Sequence, residues 1–272
     1  MFNFESITSR RSETVLRLLK LRKASERRES GRFIFEGRKL FSEALDSKMP
    51  LLAIYATEEN LSFVERELNK ASAACFDTIR LFSVTDEVYM KLTDEGAPQG
   101  LLCECQIPYE LHTRSGIVPA SPDERLFCAV GIQDPGNLGA IIRSAHAFGV
   151  DRLIISGCAD LYNTKTVRGA MGALFRTKIS VCSDITGSLA ALSAVGYNPF
   201  AAVLSESASP LHLLDDDPSR LYVVGSEGRG LEKEVIDACI GQVYIPMEEG
   251  SESLNASVAA SVLMFSQYLK RL

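Results

Sequence analysis

The sequence lacks any uninterrupted apolar run close to the ~20 residues that a membrane-spanning helix needs. Its first thirteen residues, MFNFESITSRRSE, are polar and charged, unlike a secretory signal peptide. Hydrophobic residues make up 46% and charged residues 24% of the 272 positions, which predicts a folded chain of one large or two ordinary domains. We expect a cytoplasmic protein with no membrane partner.

Cysteine and histidine are few and are not arranged as metal ligands. The seven cysteines are scattered among mostly apolar neighbours, which is typical of reduced, buried thiols rather than of a disulfide framework. Cys103 and Cys105 form the one close pair, and no second pair or nearby histidine completes a zinc site. The three histidines are isolated in the sequence. We therefore predict no metal cofactor.

Positive charge is concentrated at the N-terminus, although the whole chain carries a formal charge of −6. Residues 1–39 hold eleven Lys and Arg against five Glu, a local balance of +6, which leaves −12 for the rest of the chain. Clustered Lys and Arg displace counterions from a phosphate backbone, so this region favours a polyanionic partner. A solvated helix face would have the same composition, and charge alone leaves both interpretations open.

Short strands alternate with helices over residues 30–107, which predicts a small α/β domain. It follows an amphipathic basic helix that apolar periodicity predicts over residues 13–28. Residues 108–124 hold three prolines and little periodicity, which predicts a linker. We therefore place an N-terminal domain at residues 1–107 and a C-terminal domain at residues 125–272.

The C-terminal domain alternates continuous apolar strands with helices, which predicts a parallel sheet covered on both faces. Ligands bind such sheets outside the carboxyl ends of the strands. Three of the loops that follow predicted strands are rich in glycine and polar residues. We expect these three loops to meet at one edge of the sheet and to form one site.

The first loop and its helix read IQDPGNLGAIIRSAHAFG, residues 132–149, and Asp-Pro-Gly predicts a turn there. Asn137 lies near the helix start, where it could cap the helix or belong to a site. Arg143 lies in an otherwise apolar helix, where it could be solvated or could bind a phosphate through two parallel hydrogen bonds. Its isolation among apolar residues favours a functional role.

The second loop reads VVGSEGRGL, residues 223–231, and its glycines allow a ligand to approach the backbone closely. The glycine order differs from the dinucleotide-binding fingerprint, and the Lys-Ser/Thr of a phosphate-binding loop is absent, which argues against a Rossmann dehydrogenase. Glu227 lies in the middle of this loop. A helix N-terminus favours any carboxylate, so a structural role for Glu227 stays open.

The third loop contains GSESLNAS, residues 250–257, between a predicted strand and the last helix. If this segment is extended, Ser253 and Asn255 face the same side and Leu254 faces the other. Ser and Asn also serve as helix N-caps, so Asn255 could instead cap the last helix.

These loops, DPGNLGAIIRSAHAFG, GSEGRGL and IPMEEGSESLNASVA, together resemble the three motifs of the SpoU (TrmH-type) RNA methyltransferases of the SPOUT superfamily. FIFEGRKLFSEAL and APQGLLCECQ are similar to the N-terminal substrate-binding domain that many members carry. The resemblance covers nearly the whole chain. It departs from the family at Ala256, where valine is usual, and at Ser144, where threonine is common.

The resemblance implies a C-terminal α/β parallel-sheet SPOUT domain with a trefoil knot and a smaller N-terminal domain of the ribosomal-protein L30e/L7Ae type. It implies S-adenosyl-L-methionine as cofactor and a homodimer with the site near the subunit interface. Five polar residues fall on the family's active-site positions: Asn137, Arg143, Glu227, Ser253 and Asn255. Cofactor contacts are implied for five more: Ala202, Gly225, Ile245, Met247 and Leu254.

The implied reaction is methyl transfer to a ribose 2′-hydroxyl of structured RNA, with rRNA favoured over tRNA. A guanidinium stays protonated in proteins, so we expect Arg143 to hold a phosphate rather than to act as a base. We expect Ser253 and Asn255 to position the ribose or to order the loop around the methyl group. Two alternatives remain open at this level: a non-catalytic RNA-binding or assembly factor, and a methyltransferase that acts on an RNA base.

Overall fold

The computed structural model describes residues 2–71, 79–115 and 124–270. The chain forms two compact units. The N-terminal unit comprises Met1–Pro108 together with Tyr162–Phe175, and the C-terminal unit comprises Tyr109–Leu161 together with Arg176–Leu272. The later segment of the N-terminal unit had been expected in the C-terminal domain.

The N-terminal unit contains a five-stranded mixed sheet in the order β1-β4-β3-β5-β2. Its strand β5 runs antiparallel to both β2 and β3, whereas β4 runs parallel to β1 and β3. The elements are β1 Glu5–Ile7, α1 Glu13–Lys20, α2 Ala24–Ser30, β2 Arg32–Glu36, α3 Arg38–Asp46, β3 Leu51–Ala56, α4 Glu58–Lys70, β4 Arg80–Val84, α5 Asp86–Leu92 and β5 Leu101–Gln106.

The single basic helix predicted over residues 13–28 is wrong, because the chain breaks between α1 and α2. Lys23 precedes α2 with extended backbone angles. Arg27 is buried and its Nη1 donates hydrogen bonds of 2.8 Å to the carbonyls of Leu21 and Arg22. Those carbonyls lie past the end of α1, so the arginine satisfies backbone groups that the break leaves without helical partners.

The segment Tyr162–Phe175 packs on strand β2 through aromatic contacts. The ring of Tyr162 lies 4.8 Å from that of Phe33, and the ring of Phe175 lies 5.2 Å from that of Phe35, measured between centroids. Helix α7, Thr164–Ala170, lies within this segment. Its hydrophobic pattern resembles any helix of an α/β unit, and the aromatic partners that assign it to the N-terminal unit are distant in sequence.

A buried carboxylate ties α1 to the N-terminal sheet. Glu104 on β5 is 1% exposed and accepts hydrogen bonds from Arg17, Arg32 and the Tyr55 hydroxyl. Burial raises the pKa of Glu104, but hydrogen bonds and charge from Arg17, and then from Arg32, outweigh it and leave the pKa below its usual value. Two cations of the basic N-terminal region therefore have a structural role.

The C-terminal unit contains an eight-stranded sheet in the order β11-β13-β10-β12-β7-β8-β9-β6, and every adjacent pair is parallel. This confirms the predicted parallel sheet. Its strands are β6 His112–Ser115, β7 Leu126–Val130, β8 Arg152–Ser156, β9 Lys178–Cys182, β10 Asn198–Ala202, β11 Ser209–Pro210, β12 Arg220–Val224 and β13 Gly241–Tyr244. The helices are α6 Pro135–Ala147, α8 Ile185–Ala194, α9 Lys233–Asp237 and α10 Ala256–Leu269.

Strand β6 lies inside the predicted linker of residues 108–124 and pairs with β9 at the sheet edge. Its sequence, HTRS, lacks the apolar run by which central parallel strands are recognised. Residues 116–123 of the linker lie outside the described residues. The domain limits and the trefoil knot stay predictions.

The core of the C-terminal unit is built from apolar side chains of the central strands and of α8, and it includes Cys128 and Cys182. No disulfide joins the cysteines of the described residues, and burial raises the pKa of each thiol for which a shift is resolved. Cys75 lies outside the described residues. Across the described ranges, no helix has the length and apolar character to span a membrane.

Candidate active site

The three loops singled out in the sequence follow β7, β12 and β13. In the sheet, β12 lies between β7 and β10, and β10 pairs with β13 on its other side. The strands are parallel, so their carboxyl ends lie at one edge. The loop after β7 enters α6, the loop after β12 makes a tight turn, and the loop after β13 enters α10.

Asp134, rather than Asn137, is the N-cap of α6. Its Oδ1 accepts a hydrogen bond of 2.8 Å from the backbone nitrogen of Asn137, and Pro135 occupies the first helical position, where no backbone donor is needed. The side chain of Asn137 is thus free of the capping role. Its Nδ2 donates a 2.7 Å hydrogen bond to Oε1 of Glu227.

Glu227 lies on the turn after β12, which Gly230 closes by donating its backbone nitrogen to the carbonyl of Ser226 at 2.9 Å. Gly225 permits this fold-back, since a Cβ there would lie 2.7 Å from the backbone nitrogen of Leu231. The turn presents the Glu227 carboxylate to the starts of α6 and α10. Its Oε1 accepts hydrogen bonds from the side-chain amides of Asn137 and Asn255 and, at 3.2 Å, from the backbone of Ala256.

Asn255 has both of the roles that the sequence left open. Its Oδ1 caps α10 by accepting from the backbone nitrogens of Ser257 at 3.0 Å and Val258 at 3.3 Å. Its Nδ2 donates to Glu227 and, at 3.1 Å, to Oδ1 of Asn137. We call Asn137, Glu227 and Asn255 the amide–carboxylate cluster; it joins all three loops.

Helices α6 and α10 run parallel, with both N-termini at the cluster. Beyond the Asn137–Asn255 contact, Ser144 Oγ lies 2.7 Å from Ser261 Oγ. The ring of Phe148 lies 5.4 Å from the ring of Phe265. The sequence separation of these pairs is 118, 117 and 117 residues, a nearly constant offset that requires parallel helices in register. The departure from the family at Ser144 therefore lies in the helix contact.

A cavity of about 390 Å³ lies beside the cluster at the ends of β10, β12 and β13. We call it the strand-end cavity. Glu227 and Ser253 of the predicted catalytic set line it. All five predicted cofactor-binding residues line it as well: Ala202, Gly225, Ile245, Met247 and Leu254. Its other lining residues include Ser226, Arg229, Leu231 and Leu263. The volume and largely apolar lining are typical of small-molecule sites.

Ser253 and Leu254 both line the strand-end cavity, and Asn255 does not. This differs from the alternation expected for an extended segment. Residues 251–255 form an irregular loop rather than a strand, so neighbouring side chains are not forced to opposite sides.

Arg143 is exposed and forms no hydrogen bond or ion pair within the part of the chain that the structure describes. It lies six residues after Asn137 on α6, which is a rise of about 9 Å and a different helix face. The structure therefore brings Asn137, Glu227 and Asn255 together, places Ser253 at the cavity, and leaves Arg143 apart from them. A guanidinium without internal partners remains available for an external anion.

Sequence reasoning did not single out Asp134 or Arg229. The signal for Asp134 was present, because an Asp directly before Pro at a predicted helix start is a typical N-cap followed by a proline at the first helical position. Arg229 stood between two glycines of the second loop, and only the folded turn brings it to the cavity. Within the described ranges, no group of three or more His, Cys, Asp or Glu is arranged to hold a metal ion.

Comparison with known proteins assigns the chain to a family. The SpoU rRNA Methylase family matches residues 124–265, and an MRM3-like substrate binding domain matches residues 12–103. The chain is 27% identical over 262 residues to the 23S rRNA (guanosine(2553)-2′-O)-methyltransferase RlmP of Bacillus subtilis (strain 168), covering 96% of this chain and 98% of that protein.

Solved structures share the fold across the whole chain. A crystal structure of an RNA 2′-O ribose methyltransferase superposes with a TM-score of 0.81 at 27% identity, covering 98% of this chain and 99% of the other. An AdoMet-bound rRNA methyltransferase from Sinorhizobium meliloti has a TM-score of 0.82 at 23% identity, covering 99% of both chains, and shows likeness of fold alone. The resemblance inferred from the three loops is confirmed: the family match extends over just over half of the sequence, and the chain belongs to the SpoU rRNA methylase family.

Proposed function

We propose that the protein is an S-adenosyl-L-methionine-dependent RNA methyltransferase that methylates a ribose 2′-hydroxyl of rRNA. The observation that carries the proposal is the amide–carboxylate cluster beside the strand-end cavity, because it joins the three loops that define the family. The RlmP relative, whose name specifies a 2′-O position on 23S rRNA, supports the same reaction.

The residues present fit the proposed cofactor. The strand-end cavity is large enough for a small molecule and combines apolar walls with backbone at the ends of three strands. Ala202, Gly225, Ile245, Met247 and Leu254 would hold the cofactor there. When bound, S-adenosyl-L-methionine supplies a methyl group on a positively charged sulfur.

The chain's own residues have to align the 2′-hydroxyl and help its proton leave. Alignment can supply ~7–11 kcal/mol of the barrier in favourable cases. Asn137, Glu227 and Asn255 hold one another by hydrogen bonds, which makes them a prearranged surface for the ribose. Ser253 lies at the cavity, where it would contact the ribose or order the loop.

Arg143 binds the phosphate next to the target ribose and stabilises negative charge that develops on the 2′-oxygen. Its exposed guanidinium, without partners among the described residues, supports this role. Because it stays protonated, it does not accept the hydroxyl proton. That proton passes to a phosphate, to water or to Glu227, whose Oε2 accepts no hydrogen bond from the described residues.

The N-terminal unit binds the structured part of the RNA. Support comes from the match of residues 12–103 to a substrate binding domain and from exposed cations in α1, in α2 and between them whose side chains have no internal partner among the described residues. Lys20 and Lys23 belong to this free set, whereas Arg17, Arg22 and Arg27 are held by internal hydrogen bonds. Free cations of this kind contribute salt-dependent affinity for phosphates.

The protein acts as a homodimer in the cytoplasm. Support for the dimer comes from apolar side chains along one face of α10, since Val258, Phe265 and Leu269 are 47%, 43% and 50% exposed. Their spacing of seven and four residues keeps them on one side of the helix. The free cysteines and the RNA substrate support the cytoplasm. Sedimentation of the wild type beside a Phe265→Glu variant tests the dimer, and equal mass for both would contradict it.

The proposed reaction is tested by incubating the purified protein with methyl-labelled cofactor and with ribosomal RNA or tRNA from cells that lack the protein. Nuclease digestion and mass spectrometry of the nucleosides then locate the methyl group. A 2′-O-methylnucleoside in rRNA is the expected product. A methylated base would instead favour the base-modifying alternative, and binding of RNA without transfer would favour the non-catalytic one. Product in tRNA alone would contradict the rRNA assignment.

A further inference from the structure

The charges around the strand-end cavity are few and opposite. Among the described residues that line it, Glu227 and Arg229 are the only members of the Asp, Glu, Lys, Arg and His types. The remaining lining is apolar, hydroxyl-bearing or glycine. What the cavity binds therefore depends on which of these two side chains already has partners within the protein.

One oxygen of the Glu227 carboxylate is already occupied by partners in the amide–carboxylate cluster. Its Oε1 accepts three hydrogen bonds, from Asn137, Asn255 and the backbone of Ala256. Arg229 has no hydrogen bond, ion pair or ring contact within the parts of the chain that the structure describes, although Glu227 is only two residues away. Of the two charged side chains that line the cavity, Arg229 is thus the one without a partner among the described residues, and its charge is positive.

The turn fixes where this cation can act. Arg229 stands between Gly228 and Gly230, and the Gly230–Ser226 hydrogen bond closes the turn around it. Gly230 has a φ of +65°, a conformation that glycine adopts at no steric cost. The backbone of Arg229 is thus held at the cavity rim by a turn that does not depend on the side chain.

Only one part of the proposed cofactor carries a negative charge. The adenine and ribose are uncharged, and the sulfonium and the α-ammonium groups are positive. The α-carboxylate is the single anionic group, and a guanidinium binds a carboxylate through two parallel hydrogen bonds. We propose that Arg229 binds the α-carboxylate of the cofactor's methionine portion and so makes the cavity select amino-acid-bearing sulfur nucleosides. This assignment rests on the proposed cofactor.

The experiment compares two uncharged-sulfur ligands by calorimetry, in the absence of RNA. S-Adenosylhomocysteine carries the α-carboxylate and α-ammonium groups, whereas 5′-methylthioadenosine lacks both. The wild type is expected to bind S-adenosylhomocysteine more tightly. In Arg229→Ala its Kd rises by roughly ten- to a hundredfold, the range for a hydrogen bond to a charged group, while the Kd of 5′-methylthioadenosine stays unchanged.

Two further variants guard against a loss of folding. Arg229→Lys keeps the positive charge but cannot form the two parallel hydrogen bonds of a guanidinium, so it should retain part of the preference for S-adenosylhomocysteine. Lys233→Ala removes an exposed cation that pairs with Asp237 and does not line the cavity, so both Kd values should match the wild type. Thermal unfolding of each variant shows whether the turn is intact.

The outcomes separate this proposal from the proposed function. A wild type that binds neither ligand overturns the proposed cofactor and this assignment with it. A wild type that binds both, with an Arg229→Ala variant that weakens both equally or neither, overturns the role of Arg229 alone. A variant with unchanged S-adenosylhomocysteine affinity but a raised KM for RNA would mean that Arg229 contacts an RNA phosphate, which also overturns the assignment.

Discussion

Glu227→Ala is the perturbation that most directly tests the amide–carboxylate cluster. It removes the acceptor shared by Asn137, Asn255 and the backbone of Ala256. The two helix starts then lose the link that the turn after β12 provides, although Asn255 still caps α10 and still contacts Asn137 at 3.1 Å. The substitution should therefore loosen the geometry of the site without unfolding it.

The expected cost to stability is small because the cluster is at the surface. Glu227 and Asn255 are exposed, and a hydrogen bond contributes only about 0.5–1.5 kcal/mol once competition from water is included. We expect a loss of about 1–2 kcal/mol in the free energy of unfolding. For a chain of this size that corresponds to a fall in Tm of roughly 2–8 °C.

The expected cost to catalysis is larger. A misplacement of about 1 Å in a positioned reactant can lower the rate roughly 100-fold, or about 2.7 kcal/mol. We expect kcat/KM for methyl transfer to RNA to fall by about this factor in Glu227→Ala. Glu252→Ala is the matched control, since Glu252 is an exposed carboxylate in the loop after β13 that neither joins the cluster nor lines the cavity. It should keep wild-type turnover.

A double-mutant cycle decides whether the residues act as a unit. If the cluster positions the substrate as one surface, Asn137→Ala combined with Glu227→Ala costs little more than either change alone. Labelled methyl transfer gives kcat/KM for the four proteins under one set of conditions. Strictly additive losses, or a Glu227→Ala protein with wild-type kcat/KM and unchanged Tm, would refute the reasoning.

Three further changes test other parts of the molecule. Arg143→Lys should lower kcat/KM for RNA by at least tenfold, because the point charge of an ammonium group cannot reproduce the two hydrogen bonds of a guanidinium. Near-normal turnover would contradict the proposal that Arg143 binds an RNA phosphate. The pKa of Glu104 is lowered in the folded state, so its stabilisation is present above the unfolded pKa and is lost as the pH falls through the folded pKa. Glu104→Gln should lower the free energy of unfolding in urea by about 1–3 kcal/mol at pH 7, and this difference from the wild type should disappear in acid. A difference in stability that does not change with pH would contradict this role of Glu104. The double variant Lys20→Glu/Lys23→Glu should weaken RNA binding and reduce its salt dependence at unchanged Tm, whereas Arg17→Ala should lower Tm. The reverse pattern would contradict the assignment of the two lysines to RNA binding and of Arg17 to stability.

The sequence predicted the C-terminal sheet well because its central strands are continuous apolar runs between glycine-rich turns. Strands β7, β8 and β12 were recognisable in this way, and α6 and α10 by their apolar periodicity. Strand β6 was not, because an edge strand needs no apolar run. Strand β1 was missed for the same reason, since ESI is short and half-exposed.

The N-terminal helix shows where periodicity misleads. The residues of this stretch that enter the apolar core, Val15, Leu18 and Leu21, all lie before α2, and α2 buries no apolar side chain. The break is stabilised by a buried arginine whose guanidinium donates hydrogen bonds to two main-chain carbonyls. A pattern of apolar positions carries no information about such a bond, and Arg27 reads as one more surface cation in the sequence.

The meeting of the site residues follows from the in-register packing of α6 and α10. Two helices that leave neighbouring loops at one sheet edge could cross at many angles, and most crossings would separate their N-termini. The hydroxyl pair of Ser144 and Ser261 and the ring pair of Phe148 and Phe265 hold them parallel at a constant offset. That offset sets Asn137 against Asn255, and Glu227 then needs only a short turn to reach both. The helix contact beyond the cluster therefore determines the geometry of the cluster.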